Sequence, residues 1–269
     1  MLAIKNNLMA ANAARNLGKS YDALAKSVER LSSGLRINGA KDDAAGLAVR
    51  ELMRADIAVL QQGSRNAQDA ISMLQTMEGA MATIDDSLVR MKQLAEQAAT
   101  GSYSDAQRLI MDSEFGEMAT EIERIATATQ FNGIKMLDNS AAVNIVFGGA
   151  GDSIEVAGGN MTQSGLGINH ASIASTDSAI AALGTLDSAI ALKDTARASF
   201  GYKMNRLEGT VSVLGIQAEN MAVAESRVSD VDVATEMANM TKNQVLAQAG
   251  IAMLAQANTM PQMALSLLR

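Results

Sequence analysis

Apolar residues recur from Leu17 to Leu35 with the 4-3 spacing of a heptad repeat. Such spacing places one narrow apolar stripe along a helix, which is typical of a helix that packs lengthwise on another helix. Ser32, Ser33 and Gly34 then weaken the helix, and Asn38-Gly39 indicates a turn. The stripe consists of Leu17, Tyr21, Leu24, Val28, Leu31 and Leu35.

A second and much longer helix is predicted from residue 43 to residue 100. Asp42 and Asp43 are suited to begin it, because carboxylates at a helix N-terminus accept hydrogen bonds from its free N–H groups. Apolar residues continue at heptad spacing through this segment. The polar stretch 100–105 interrupts the pattern, and Ser104 is the expected N-cap of a third helix.

The middle of the sequence changes from helical to alternating patterns. Residues 130–137, "QFNGIKML", contain an Asn-Gly turn signal, and residues 143–160 alternate in the manner of a β-hairpin around a glycine-rich turn. Helical spacing returns near Thr176 and continues to a polar segment, "SRVSDVD", at 226–232. The pattern therefore predicts long helices on both sides of one small β-containing region.

The last stretch, 243–269, carries two apolar stripes at once, and its only ionisable side chain is Arg269. One stripe runs from Leu246 to Leu267 and the other from Ile251 to Leu268. A helix that is apolar on several sides is expected to be buried all round. Because residues 1–35 offer only one matching helix, much of this surface is expected to meet other copies of the chain. The residues predicted to contribute to self-association are Leu17, Leu24, Val28, Leu31, Leu246, Ile251, Met253, Leu254, Leu265, Leu267 and Leu268.

The sequence thus predicts a mostly α fold. Its N- and C-terminal halves are expected to pair as long antiparallel coiled-coil helices, with a small β-hairpin region at the distal turn. Composition agrees, since one Pro among 269 residues lets helices run long, and 18 Met with 3% aromatics suit close helix packing.

Charge and composition also exclude several classes of function. A net charge of −7 argues against nucleic acid as a partner, and the absence of Cys excludes disulfides and thiolate metal sites. The N-terminus has no continuous apolar segment of a cleaved signal peptide, and the apolar run 249–255 is far shorter than a membrane span. No membrane insertion is expected.

Catalytic chemistry has little support in the sequence. His170, the only histidine, lies in a Ser/Ala/Asn-rich segment and is expected to be a surface residue. The pairs Asp42-Asp43 and Asp85-Asp86 are adjacent, so on a helix their side chains point apart. "GGAG" at 148–151 lacks the Gly-Lys-Ser/Thr of a phosphate-binding loop. We therefore predict no enzyme activity, no catalytic residue, no cofactor and no metal site.

Three motifs resemble those of bacterial flagellins. "ERLSSGLRINGAKDDAAGLAV" at 29–49 is similar to the N-terminal flagellin signature, and "TQFNGIKML" at 129–137 is similar to its mid-chain turn. Residues 226–269, which end in "LSLLR", resemble the C-terminal signature. The resemblance covers about residues 1–138 and 176–269. It implies a short flagellin without large outer variable domains, which polymerises into the extracellular flagellar filament and serves motility.

The resemblance also implies a division of the chain into four parts. Gly34, Arg36, Asn38, Asp42 and Asp43 would belong to the first connector or its edge. The expected parts are an inner terminal coiled-coil domain (1–35 and 234–269), connectors (36–43 and 226–233), an outer α-helical domain (44–138 and 176–225) and a short β/loop variable region (139–175).

Partners are likewise implied by the resemblance. Export would be by a type III route without a cleaved signal peptide, with a chaperone on roughly 230–269, and the assembled chain would contact filament cap and hook-junction proteins. Some flagellins are detected by an innate immune receptor through an outer-domain helix, which corresponds here to residues 88–97. Arg90 and Leu94 agree with the detected pattern, and Glu114 looks equivalent to a glutamate that contacts the receptor. Val89, Lys92, Gln93 and Glu96 depart from the detected pattern, so detection stays an open alternative.

Two other functions share part of the pattern. A hook–filament junction protein would have similar termini but would be present in few copies. A cytoplasmic coiled-coil signalling protein would share the heptads, but it gives no reason for an uncharged C-terminal helix that is apolar on several sides.

Overall fold

In the computed structural model the chain is mostly α-helical, with one small antiparallel sheet. The structure describes residues 7–139, 141–149 and 151–266, of which 261, 262 and 264–266 are described by their backbone alone. The predicted fold class is confirmed. The elements are α1 (Leu8–Ser33), α2 (Ala44–Ala99), α3 (Asp105–Ala128), β1 (Ala142–Val146), β2 (Ser153–Ala157), α4 (Gln163–Leu166), α5 (Thr176–Ser229) and α6 (Val233–Ser266).

The helix ends follow local capping chemistry. At the start of α3, the Ser104 backbone N–H donates to Gln107 Oε1 at 2.9 Å and Ser104 Oγ accepts from the Gln107 backbone N–H, which is a capping box. Helix α1 ends at Gly34, whose φ of 73° is the left-handed conformation that glycine adopts without a Cβ penalty. Its N–H donates to the Arg30 carbonyl, so one of the free carbonyl groups of the last turn is satisfied.

The chain divides into two compact units. The terminal unit comprises Met1–Asp56 and Asn220–Arg269, and the middle unit comprises Ile57–Glu219. In the terminal unit α1 packs along α6, and the pairing is antiparallel because Asn7 contacts Ala257 whereas Ser27 contacts Glu236.

The α1 stripe differs in part from the heptad stripe expected from the sequence. Leu17, Leu24 and Leu31 are half-buried as expected, but Tyr21 and Val28 are exposed. At the alternate positions Ser20 is half-buried and Ser27 is buried, so the covered face of α1 passes through these small residues in place of Tyr21 and Val28.

The middle unit is built around one apolar core. The β-hairpin joins Val146 to Ser153 at its closed end and turns the side chains of Ile154 and Val156 inward. Apolar residues of α2, α3 and α5 complete the core, with unbranched Met side chains filling irregular gaps between the helices. Its fully enclosed large side chains include Leu74, Met77, Met81, Ile84, Leu88, Met91, Phe115, Ile122, Met136, Leu137, Ile154 and Phe200.

The hairpin is anchored on α2 at Gly63. A Cβ at this position would overlap the backbone carbonyl of Phe147, so only glycine lets the loop approach so closely. The Asn66 side-chain amide donates to the Val146 carbonyl at 2.9 Å one helical turn further on. None of the helices in the described residues has the length and apolarity that crossing a membrane requires.

Candidate assembly interface

The side of α6 that faces α1 is a single narrow stripe. Its least exposed residues recur at steps of 4 and 3, as expected for a helix packed on one partner. Gly250 lies at a close approach of the two helices, since a Cβ added there would lie 3.1 Å from Leu17 Cδ1. The stripe comprises Glu236, Met240, Asn243, Ala247, Gly250, Leu254 and Ala257.

This stripe takes residues from both of the stripes that the sequence showed. Gly250 and Ala257 follow Leu246 at heptad spacing and belong to the stripe that begins there. Leu254 follows Ile251 and belongs to the other stripe. The remaining apolar residues, Leu246 and Ile251 among them, therefore stay exposed on the flanks of α6. A single α1 helix is too narrow to cover more than one side of its partner.

The sequence-predicted residues for self-association are consequently divided between contact and exposure. Leu265 is described by its backbone alone, and Leu267 and Leu268 lie outside the described residues. Among the others, those half-buried between the helices are Leu17, Leu24, Leu31 and Leu254, and those exposed are Val28, Leu246, Ile251 and Met253.

An apolar groove of about 450 Å³ lies between α1 and α6, and we call it the terminal groove. Its polar groups are the side-chain amides of Asn12, Asn16 and Gln256. It offers apolar surface without charge, which suits an uncharged apolar partner. The apolar residues that line it are Met9, Ala13, Leu246, Ala249, Gly250, Met253, Ala257 and Met260.

A buried polar contact joins the same two helices near the connectors. Ser27 Oγ donates to Glu236 Oε1 at 2.5 Å, and both residues are buried. Arg30 places a guanidinium nitrogen 3.5 Å from Glu236 Oε2, so the carboxylate is paired on both oxygens. This contact is not part of the predicted heptad stripe, because that stripe contains apolar residues and both Ser27 and Glu236 are polar. The sequence offered one signal for it, a glutamate at position 236 that is in phase with the contact stripe and lies three residues after the start of α6.

The two connectors pair with each other through their backbones. Leu35 forms an antiparallel bridge with Asp230, in which the Arg36 N–H donates to the Ser229 carbonyl at 2.7 Å and the Val231 N–H donates to the Gly34 carbonyl at 3.0 Å. The Arg36 guanidinium adds a bond to the Val228 carbonyl at 2.7 Å. The structure extends α5 to Ser229, so residues 226–229 of the expected second connector are helical.

Carboxylates fix the first connector against the helices on either side. Asp42 accepts from Lys26 Nζ at 2.6 Å and from the Asn38 N–H, and Asp43 Oδ1 accepts from the Gly46 N–H at 2.9 Å at the start of α2. The Lys26 hydrogen bond lowers the pKa of Asp42 from its usual range and outweighs its partial burial. The Asp42 carboxylate therefore stays charged at neutral pH and ties the connector to α1.

The three residues expected to contact an immune receptor lie in the middle unit. Arg90 donates to Glu114 Oε1 from Nε at 2.9 Å and from a terminal guanidinium nitrogen at 2.6 Å, and both side chains are about half exposed. Leu94 is buried in the core and presents no side-chain surface in this conformation.

Comparison with known proteins places the chain in one family. Residues 4–142 match the bacterial flagellin N-terminal helical region, and residues 183–268 match the bacterial flagellin C-terminal helical region. The short interval between the two matches contains β2, α4 and most of β1, and it leaves no room for a large inserted domain.

Full-length relatives and solved structures agree. A flagellin of Halalkalibacterium halodurans is 42% identical over 273 residues, and the flagellar filament 33 kDa core protein of Treponema phagedenis is 43% identical over 284 residues; each match covers 99% of both chains. The crystal structure of Bacillus cereus flagellin is similar with a TM-score of 0.51 and 32% identity, over 60% of this chain and 94% of that one. A flagellar hook-associated protein of Vibrio parahaemolyticus has a TM-score of 0.58 but only 15% identity, over 70% of this chain and all of that one, so it shares the fold alone. The chain belongs to the bacterial flagellin family.

Proposed function

We propose that the chain polymerises into the extracellular filament of the bacterial flagellum through the faces of α1 and α6 that a single chain leaves uncovered. The observation that carries this proposal is the exposed apolar flank of α6, which has no charged side chain between residues 243 and 268. A second copy of the chain is the expected occupant, because a relative that is similar along the whole length is a flagellar filament core protein.

The energetics favour many copies over one partner. Burying an exposed Leu or Ile side chain contributes about 1.5–3 kcal/mol. Association costs roughly 4–15 kcal/mol of translational and rotational freedom. Several residues such as Leu246 and Ile251 must therefore be covered together, on more than one side of α6, as happens when a subunit is surrounded by copies.

A charge placed on this flank tests the proposal. Ile251→Glu introduces a carboxylate at a side chain that is 50% exposed, so it leaves the folded monomer intact while it penalises burial in a polymer. Val146→Glu, at a hairpin residue that is 51% exposed, is the matched control. Seeded polymerisation is followed by sedimentation and negative-stain microscopy. We expect the control to form filaments and Ile251→Glu to remain monomeric; filaments from Ile251→Glu at wild-type concentration would overturn the proposal.

Truncation provides a second test. Removal of residues 254–269 takes away the last part of α6, including Leu254, Leu265, Leu267 and Leu268, without touching the middle unit. We expect polymerisation to be lost while the thermal unfolding of the middle unit persists. Filaments formed by the truncated chain would contradict the role of this segment.

The expected domains and partners remain part of the proposal. We propose an inner domain from 1–35 with 234–269, and an outer domain from 44–138 with 176–225, joined by the connectors. We further propose export without a cleaved signal peptide, with a chaperone bound to roughly 230–269. An apolar segment that is exposed in the single chain supports such a chaperone, since it needs cover before assembly. Filament cap and hook-junction proteins are proposed as contacts of the assembled chain.

Recognition by an innate immune receptor is proposed in a narrower form than the sequence expectation. Arg90 and Glu114 offer exposed charge to a receptor, whereas Leu94 supports the helix from within the core. Arg90→Ala is expected to weaken receptor binding in a surface-immobilised assay, with Arg124→Ala as an exposed arginine control on α3. Equal binding by both variants would exclude this surface.

The two alternatives are less well supported. A signalling coiled coil does not account for the uncovered flank of α6. A hook–filament junction role rests on a shared fold at 15% identity, whereas flagellins match at about 42% over the whole chain. The filament-subunit prediction is retained.

A further inference from the structure

The described methionines include two classes at opposite extremes of exposure, besides others that are half-buried. Met77, Met81, Met91 and Met136 are fully enclosed in the core of the middle unit. In the terminal unit, by contrast, Met9 is 60% exposed and Met253 is 65% exposed. Because oxidation of a thioether requires access to its sulfur, these two classes should differ in reactivity.

Met9 and Met253 also share one place in the fold. Met9 lies in the first turn of α1 and Met253 on the flank of α6, and both line the terminal groove with Met260 beside them. The groove is lined by apolar side chains and three amides, so the thioethers supply a substantial part of its apolar surface. Any change in their polarity alters the surface that a second copy would cover.

We propose that Met9 and Met253 form an oxidation site, at which conversion to methionine sulfoxide by a peroxide blocks assembly of the chain. This inference rests on the proposed function. In the reaction the sulfur lone pair attacks one oxygen of hydrogen peroxide, an S–O bond forms as the O–O bond breaks, and water leaves after proton transfer. The sulfur is oxidised by two electrons and the peroxide is reduced by two, so no further co-reactant is needed.

The sulfoxide is expected to oppose assembly in both orientations of its oxygen. If its oxygen faces the second copy, a strong acceptor is buried against apolar surface without a donor, which is unfavourable. If its oxygen accepts from the amides of Asn12 or Asn16, which line the same groove, the side chain occupies the space that the second copy needs. Both outcomes raise the concentration required for polymerisation.

Oxidation at this site is expected to occur before the chain assembles. Once a second copy covers the groove, the peroxide no longer reaches the two sulfurs. Met9 and Met253 are therefore expected to oxidise readily in the monomer and slowly in the polymer. The enclosed methionines of the middle unit should be protected in both forms.

The experiment treats the purified full-length monomer with hydrogen peroxide, maps each sulfoxide by peptide mass spectrometry, and then measures seeded polymerisation by sedimentation. The test variant is the double substitution Met9→Leu with Met253→Leu, since Leu matches Met in volume and apolarity but has no sulfur. The control is Met237→Leu, at a residue of α6 that is 51% exposed and does not line the terminal groove.

We expect Met9 and Met253 to oxidise roughly tenfold faster or more than Met77 and Met81. Oxidised wild-type and oxidised Met237→Leu should require a roughly tenfold higher concentration to polymerise, because an unpaired polar atom is buried at the contact. The double variant should polymerise alike with and without peroxide, and methionine sulfoxide reductase should restore the oxidised wild type.

Three results would count against the proposal in distinguishable ways. An untreated wild-type chain that stays monomeric would overturn the proposed function, and the oxidation site with it. A wild-type chain that polymerises equally before and after oxidation of both residues would overturn the oxidation site alone. A double variant that loses polymerisation after peroxide as the wild type does would place the sensitive methionine elsewhere.

Discussion

The side-chain amide of Asn7 donates a hydrogen bond to the backbone carbonyl of Ala257 at 2.7 Å, across 250 positions of sequence. In α6 this carbonyl would ordinarily accept from the backbone N–H four residues later, but that residue is Pro261, which has no N–H. The other end of the Asn7 amide, Oδ1, accepts from the Ala10 N–H at 3.0 Å and caps α1. The Asn7 side chain therefore caps the N-terminus of α1 and supplies the hydrogen-bond donor that Pro261 lacks in α6.

Asn7→Ser separates these two roles. Serine keeps an oxygen that caps a helix as well as Asn does, but it is too short to carry a donor to Ala257. We expect the terminal unit to lose about 0.5–1.5 kcal/mol of stability, the usual contribution of one hydrogen bond. Amide hydrogen exchange within α1 and α6 measures the loss.

A proline replacement supplies the control for Asn7. Pro261→Ala restores a backbone N–H that can bond to the Ala257 carbonyl, so Asn7→Ser should cost less in that background than in the wild type. The difference between the two costs is the coupling energy of the double-mutant cycle. Equal costs in both backgrounds would show that Asn7 acts only as a cap.

The buried contact between Ser27 and Glu236 is expected to set the register of α1 on α6. Buried polar groups at one position of a heptad stripe penalise slipped pairings, because a slip leaves them without partners. Ser27→Ala removes the donor from Glu236 Oε1 while Arg30 still pairs with Oε2. We expect a loss of about 1–3 kcal/mol from the buried oxygen that is left without its donor.

The double variant Ser27→Ala with Glu236→Leu separates the effect of this contact on helix register from its effect on stability. The double variant should recover part of this stability, since both partners of the Ser27–Glu236 hydrogen bond are gone although Arg30 loses its carboxylate. Its helices should nevertheless pair in more than one register. Disulfide trapping between cysteines introduced at matched and slipped positions of α1 and α6 reports the register. A double variant that crosslinks only at the matched positions would refute a register role for this pair.

Local patterns were sufficient to predict most element boundaries. The helix expected from 43 to 100 is found at Ala44–Ala99, and Ser104 caps α3 as expected. Turns and caps depend on residues within four positions of one another, so the local sequence is sufficient to predict where a helix begins and ends. The hairpin was predictable for the same reason, because its alternation spans few residues.

The pairing of the terminal helices could not be read in the same way. Because α6 is apolar on several sides, its periodicity fits more than one stripe, and only the partner helix selects Gly250, Leu254 and Ala257. The contacts Asn7–Ala257 and Ser27–Glu236 join polar groups that are over 200 positions apart in the sequence, and in the first of them the acceptor is a backbone carbonyl. No local rule relates such residues.

Gly63 should tolerate no side chain. In Gly63→Ala the added Cβ would overlap the Phe147 carbonyl, so the hairpin loop must move away from α2. We expect the middle unit to lose about 1–3 kcal/mol, the range for overpacking. Gly79→Ala on the same helix is the matched control, since nothing lies within 4 Å of its added Cβ and alanine favours a helix by about 0.5–1 kcal/mol.

Thermal unfolding of the middle unit compares the two glycine variants. The Gly63→Ala midpoint should fall and the Gly79→Ala midpoint should rise relative to the wild type. If the Gly63→Ala midpoint rose as well, helix propensity and not the contact with Phe147 would govern position 63.

The last prediction concerns Lys193, whose side chain is 3% exposed and whose ammonium group is paired with the carboxylates of Asp85 and Asp194. Burial acts to lower the pKa of Lys193, but the hydrogen bonds to both carboxylates outweigh it, and the pKa is raised above the ordinary 10.5. The two ion pairs of Lys193 should therefore contribute their full stability below pH 10.5 and lose it as the pH rises through the higher pKa of the folded state.

Lys193→Met should remove this dependence of stability on pH, whereas Lys92→Met, which breaks the half-exposed pair with Asp187, should leave it in place. Chemical unfolding of the middle unit on both sides of pH 10.5 measures the difference. A Lys193→Met variant that lost stability above pH 10.5 as steeply as the wild type would assign the alkaline transition to other groups.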